Sequence, residues 1–365
     1  MYTNFKKHKI NIFFLLIVLL AALFSILLVE TFKTKQKTSY YNQQIKAARV
    51  MTTSIETIKE HRKELGIPIN KDSDPNKTGV IGKEYTPLTT TLGNLESKRT
   101  ALNPDFAAVM VKYYQRIGLE KGDYIGVGAS GSFPGLILAT LSASKVMELN
   151  PIIIYSIGAS TYGANIPDFT FIEMLDELHE ENIFPYEIKA VSLGGNLDKA
   201  KGLLTEDSKD VFREVAQKSD ATYIYHENLR DSIEQRMDIY SKTSGQSEIA
   251  CFVNIGGAVA NFGQTNSSLS FPNGLVLNPP PIPDNKNRGL IFEYAARNKP
   301  IIHLLNIREL ASQNDITVDP VPLPQPGNSG IYYEVVYNKY VVIISLLAIF
   351  VLLYIGMRYS NKKDK

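Results

Sequence analysis

With one cysteine and five histidines in 365 residues, two kinds of chemistry are excluded at the outset. Cys251 alone cannot close an internal disulfide, whatever the redox compartment. The histidines are scattered, so no zinc-type ligand cluster can be assembled and no metal is expected. Cys251 lies in the apolar run IACFVNI and reads as a small buried residue. A strong charge of either sign is missing too, with 39 basic against 37 acidic groups. No G-x-G-x-x-G fingerprint is present, no repeat of fixed period is visible, and no cofactor is expected.

The chain does have two long apolar runs. Residues 10–29 are interrupted only by Asn11 and Ser25, and residues 340–357 only by Ser345 and Gly356. Each approaches the ~20 residues that cross a hydrocarbon core, and neither carries the polar stripe of a soluble amphipathic helix. The first run exceeds the ~7–15 apolar residues of a signal peptide, and no A-x-A cleavage site follows, which favours an anchor. Lys6, Lys7 and Lys9 precede the first run; Arg358, Lys362, Lys363 and Lys365 follow the second. The positive-inside rule then places both tails in the cytoplasm and the body outside, with Lys33, Lys35 and Lys37 the only counter-signal. Without the three basic groups of the first tail and span, and the four basic and one acidic of the last, the body keeps 32 basic against 36 acidic groups. A net charge of −4 removes the main electrostatic argument for nucleic acid, which is not expected as a partner.

Seven segments follow: a cytoplasmic basic tail (1–9), a transmembrane helix (10–29), a stalk helix and loop region (30–93), an extracytoplasmic α/β domain (94–318), a Pro-rich linker (319–339), a second transmembrane helix (340–357) and a basic tail (358–365). The stalk helix is read over residues 40–65, where Ile45, Val50, Ile55 and Ile58 fall roughly on one face. Asn103-Pro104 opens a helix running to about Ile117. Beyond it, short apolar runs at 123–129, 151–159, 187–195, 221–227, 248–257 and 300–307 alternate with helical stretches at 134–149, 168–182, 205–218, 228–241 and 289–298. That alternation predicts an α/β, Rossmann-like fold: a mostly parallel sheet with helices on both faces, flanked by two transmembrane helices.

Ligands of open parallel sheets bind at the carboxyl ends of the strands. Several predicted strands end in glycine and small polar residues: Gly128 to Ser132, Gly158 to Ser160, Gly194-Gly195-Asn196 and Gly256-Gly257. Such a rim can approach a carboxylate or phosphate closely. Ser132, Ser160, Asn165, Gly194, Gly195, Asn254, Gly256 and Gly257 are its candidate binding residues. The strand–GASGS–helix segment also resembles a G-x-S-x-G nucleophile elbow, with Ser132 in place of the last glycine. Ser130 is the candidate nucleophile and His303 the candidate base, although a lone histidine in an apolar strand also fits a hydrogen-bonded core residue. In the cluster Glu96-Ser97-Lys98-Arg99-Thr100, Arg99 could clamp a carboxylate bidentately or pair with Glu96. Ser142-Ala143-Ser144-Lys145 fits S-x-x-K but falls mid-helix without the companion motifs.

The strings EYTPLTTTLGNLESKRTALNPDFAAVMV, VGASGSFPGL, SIGASTYGANIPDFTF, SLGGNLDKAKGL, VNIGGAVANFG and PIIHLLNI, in this order over residues 46–327, resemble the bacterial poly-gamma-glutamate system protein family. Tyr162 stands where that pattern often has Trp, a mild departure. The resemblance implies a component of a machinery that makes and exports poly-γ-glutamate, an anionic capsule-like polymer. Its implied partners are the membrane, the polymer, and the membrane ligase and export subunits of the same system. No catalytic residue is implied by it. Two readings follow: an accessory outer domain contacting polymer or synthase, and a tethered hydrolase or acyltransferase acting on γ-glutamyl chains through Ser130.

Overall fold

The computed structural model describes residues 12–200, 208–245, 247–286 and 288–363. It divides into two units: Tyr40–Tyr332, and the two chain ends up to Ser39 and from Tyr333. In the terminal unit, Ile12–Thr31 and Lys339–Tyr359 are long and apolar enough to cross a membrane. The first buries none of its residues. The two helices pack on each other, and Thr34–Lys37 pairs antiparallel with Tyr333–Val336.

The central unit is built on seven strands: β1 (Tyr124–Ser130), β2 (Asn150–Ser156), β3 (Ile188–Ser192), β4 (Thr222–Ile224), β5 (Cys251–Ile255), β6 (Gly274–Val276) and β7 (Ile301–Leu304), in spatial order β4-β3-β2-β1-β5-β7-β6. All neighbours are parallel except β6, which pairs antiparallel to β7 at the edge. The helices of six or more residues described in this unit are α1 (Tyr41–Glu64), α2 (Leu95–Thr100), α3 (Asp105–Ile117), α4 (Pro134–Val146), α5 (Phe171–Glu180), α6 (Lys209–Lys218), α7 (Leu229–Ser244), α8 (Leu290–Ala295) and α9 (Ile307–Gln313). Positions 205–207 of the expected helix 205–218 lie outside the described residues.

The strands read as continuous apolar runs because helices cover both faces. Ile152 and Ile154 of β2 share a cluster with Ile233 and Tyr240 of α7 and Phe292 of α8. Tyr155, pointing the other way, meets Phe171 of α5. Cys251 is fully buried in β5. The chain builds outward from β1 through β4, then returns to place β5 on the other side of β1. The carboxyl ends of β1 and β5 therefore flank the point where strand order reverses, the usual crevice of such sheets.

Two segments depart from the sequence expectation. The helix read as a stalk is a wall of the central unit: Ala47, Ala48, Met51, Ile55 and Ile58 are buried and α1 packs on α3, α4 and α5. Ile45 and Val50 are only half-buried, and the buried Gln44 amide donates to the Ala108 and Ile331 carbonyls at 3.3 and 3.0 Å. The Pro-rich segment is likewise seated on the unit: Asn76 donates to the Pro320 carbonyl at 2.8 Å, and the Tyr332 hydroxyl donates to Asp105 at 2.6 Å.

Candidate functional site

A cleft of about 540 Å³ opens at the carboxyl ends of the parallel strands. Its floor comes from Ser130 at the end of β1 with Ser132 and Phe133 beyond it, Ser156 at the end of β2 with Gly158 beyond it, Gly194 to Asn196 after β3 and Gly257 to Val259 after β5. A lip of residues 90–94 covers one side. Backbone pairing fixes that lip: Thr89–Thr91 lies parallel to Ala159–Ser160, and the Gly93 N–H donates to Thr161 Oγ1 at 2.8 Å. The lining mixes hydroxyls, amides and glycine turns with the apolar side chains of Leu92, Phe133, Val259 and Leu305. Gly194 has φ +71°, and a Cβ there would stand 3.0 Å from the Gly158 nitrogen, so this edge of the floor requires glycine.

Beneath the floor runs a buried polar network. The Asp198 carboxylate accepts from Ser192 Oγ at 2.8 Å, from the Gly194 N–H at 3.1 Å and from Ser232 Oγ at 2.7 Å. It pairs with the Arg236 guanidinium at 2.9 Å, both side chains being almost fully buried. Arg236 also donates to Ser192 Oγ at 2.6 Å, and Ser192 in turn meets Ser156 Oγ at 3.0 Å. This network ties the glycine turn after β3 to α7 and supports a cleft-lining hydroxyl.

The nucleophile and base read from the sequence are not brought together. Ser130 on β1 and His303 on β7 are separated by β5, which spaces their strands by about 10 Å. Ser130 is 3% exposed and, among the described residues, its hydroxyl donates only to the Ile255 carbonyl, at 3.5 Å. A Cβ on the neighbouring Gly256 would lie 2.4 Å from that hydroxyl. His303 is a core residue: its Nδ1 meets the Asn254 amide nitrogen at 2.9 Å, its ring stacks on Phe262 and meets Phe271 edge-on, and burial pushes its pKa down to about 4.

The candidate binding residues divide. Ser132, Ser160, Gly194, Gly195 and Gly257 line the cleft. Asn254 donates to the Gly256 carbonyl at 2.9 Å behind the floor. Asn165 clips a loop, accepting from the Lys83 N–H at 2.9 Å and donating to the Lys83 carbonyl at 2.7 Å. Arg99 does clamp a carboxylate with two nitrogens, but the carboxylate is the protein's own Asp319. Glu96 pairs with Arg308 at 2.6 Å instead of with Arg99. Ser142 is buried mid-helix in α4, and Lys145 donates to the Ile183 carbonyl.

The residue that sequence reasoning passed over is Lys98. The residue is 3% exposed; its ammonium donates to Ser160 Oγ at 2.5 Å and to the Ser132 carbonyl, and sits 4.0 Å from the centroid of the Phe133 ring. Burial pushes its pKa down to about 7. The Asn94 side chain caps α2 by accepting from the Ser97 N–H at 2.8 Å. Lys98 and Thr100 are the buried residues of α2, while Glu96 and Arg99 reach Arg308 and Asp319. No apolar period in the sequence marks Lys98 as buried.

The chain matches no family model, no curated protein and no solved structure. Among the described residues, no group of three His, Cys, Asp or Glu could hold a metal ion.

Proposed function

We propose that the chain is a two-pass membrane component of a bacterial poly-γ-glutamate synthesis and export system, with its Rossmann-like outer domain binding the polymer in the strand-end cleft. The observation that carries this reading is the lining of the cleft. A γ-glutamyl chain alternates an amide with a free carboxylate, and it needs hydrogen-bond donors and acceptors at close backbone approach. The hydroxyls of Ser97, Ser132, Ser156 and Ser160, the Asn94 and Asn196 amides and the glycine turns supply these. A body of net −4 gives a polyanion no long-range attraction, so recognition must come from this local set. Two helices long and apolar enough to cross a membrane and the basic tails support anchoring with the domain outside.

The test uses the full chain in nanodiscs and short γ-glutamate oligomers. Thr91→Trp, at an exposed position on the lip, fills cleft space without entering the core. It is expected to weaken oligomer binding at least about tenfold, or ~1.4 kcal/mol, with thermal stability unchanged. Equal binding by both proteins, or none by the wild type, overturns the reading.

A further inference from the structure

We propose that Ser160 and Lys98 form a serine–lysine dyad that transfers or hydrolyses an acyl group held in the cleft. Ser160 lines the cleft while its Oγ lies 2.5 Å from Lys98 Nζ, within reach for proton transfer. The lysine is fixed by the Ser132 carbonyl and the Phe133 ring, so a single nitrogen position faces the serine. The charged groups nearby are engaged with one another: Glu96 with Arg308 and Arg99 with Asp319. None supplies a counter-ion to Lys98, and its depressed pKa of about 7 leaves a large neutral fraction able to act as a base. The Ser132 Oγ accepts the Ser160 N–H at 3.1 Å, and its own proton can serve the carbonyl oxygen of a bound acyl group.

Neutral Lys98 takes the Ser160 hydroxyl proton as Oγ adds to the carbonyl carbon of an amide or ester. The tetrahedral species collapses, the carbon–nitrogen or carbon–oxygen bond breaks, and Lys98 returns the proton to the leaving group, giving an acyl ester on Ser160. Water, or the amine of an acceptor chain, then adds to that ester while losing a proton to Lys98. The Ser160 ester bond breaks, and Lys98 reprotonates Oγ. Choosing a γ-glutamyl amide as the natural substrate rests on the function proposed above; the dyad itself does not.

The experiment treats the full chain in nanodiscs with a fluorophosphonate probe, followed by peptide mapping, and in parallel with γ-glutamate oligomers scored for chain length. Expected is a phosphonylated Ser160, with a labelling rate that rises at least tenfold from pH 5.5 to pH 8. Labelling is expected to vanish in Ser160→Ala and fall at least a hundredfold in Lys98→Met, with melting temperatures confirming that each variant is folded. Should Lys98→Met fail to fold, the pH profile of the wild type and the Ser160→Ala result decide alone. Labelling of Ser160 without oligomer cleavage or transfer upholds the dyad and counts against the polymer. Oligomer binding without any labelling of Ser160, or labelling at Ser130, overturns the dyad and leaves the binding reading intact.

Discussion

Replacing Arg236 by leucine is expected to lower the unfolding free energy by about 3–5 kcal/mol, measured by denaturant titration of the detergent-solubilised chain. The cost arises because the guanidinium is the only cation paired with the buried Asp198 carboxylate among the described contacts, so its removal strands a charge in a low-dielectric interior. Ser192, which receives an Arg236 N–H, also loses a partner beneath the cleft. The double replacement Arg236→Leu with Asp198→Asn removes both charges and should recover a large part of the loss, since an uncompensated charge costs more than an absent pair. The turn after β3 gives this network its second role. Leu197, Asp198 and Ala200 all have positive φ, a conformation that costs non-glycine residues energy. Asp198, held by four partners, offsets it. A single-variant loss below about 1 kcal/mol would show that the pair does not hold the turn.

Gly82→Ala has the second large effect, and it acts on the loop that leads into the lip of the cleft. A Cβ at this position would lie 1.9 Å from the Gly163 carbonyl oxygen and 2.3 Å from Asn165 Oδ1. The obstacle is backbone, so no rotamer relieves it. The contact is close because two chain segments are clipped together here: the Gly82 N–H donates to the Tyr162 carbonyl at 3.2 Å, and the Tyr162 N–H to the Lys83 carbonyl at 2.8 Å. Separating them by the required ångström breaks these bonds and the Asn165 clip, at a cost of about 3 kcal/mol. The expected result is a destabilised protein in which protease cuts first between residues 78 and 93. Wild-type stability and an uncut loop in the variant would refute this account of the lip.

The alternation of apolar runs with helix-length segments was enough to read six strands and the helices between them, because a sheet buried on both faces leaves continuous Ile and Val runs in the chain. The short antiparallel β6, Gly274–Val276, was missed: three residues beside Pro-rich sequence carry no period. The α1 helix is legible as a helix, but its spacing reads as a stalk and the structure makes it a wall of the central unit. Amphipathic spacing reports that one face is buried and says nothing of what covers it, and the nearby apolar segment suggested the wrong neighbour.

The cleft was legible where it depends on strand ends. Ser132, Ser160, Gly194, Gly195 and Gly257 were read as rim residues, since glycine-rich turns after parallel strands converge on one edge. The chemistry was less legible. The elbow-like GASGS string drew the nucleophile to Ser130, yet β1 continues through that residue and buries it. Lys98 was hidden inside a run of charges in which Glu96 and Arg99 are the surface members. Its role depends on a helix of six residues and on a serine 62 positions away, a juxtaposition that only the folded chain produces.

Hydrogen exchange of the full chain in nanodiscs, with and without γ-glutamate oligomers, tests the central claim most directly. Slowed exchange is expected in the lip at 90–94, at Ser97 and in the strand-end turns at 130–133, 158–160, 194–196 and 257–259, with the outer surfaces of α6 and α7 unchanged. Protection confined to those outer helices, or no protection at saturating oligomer, would contradict the assignment of the cleft as the polymer site.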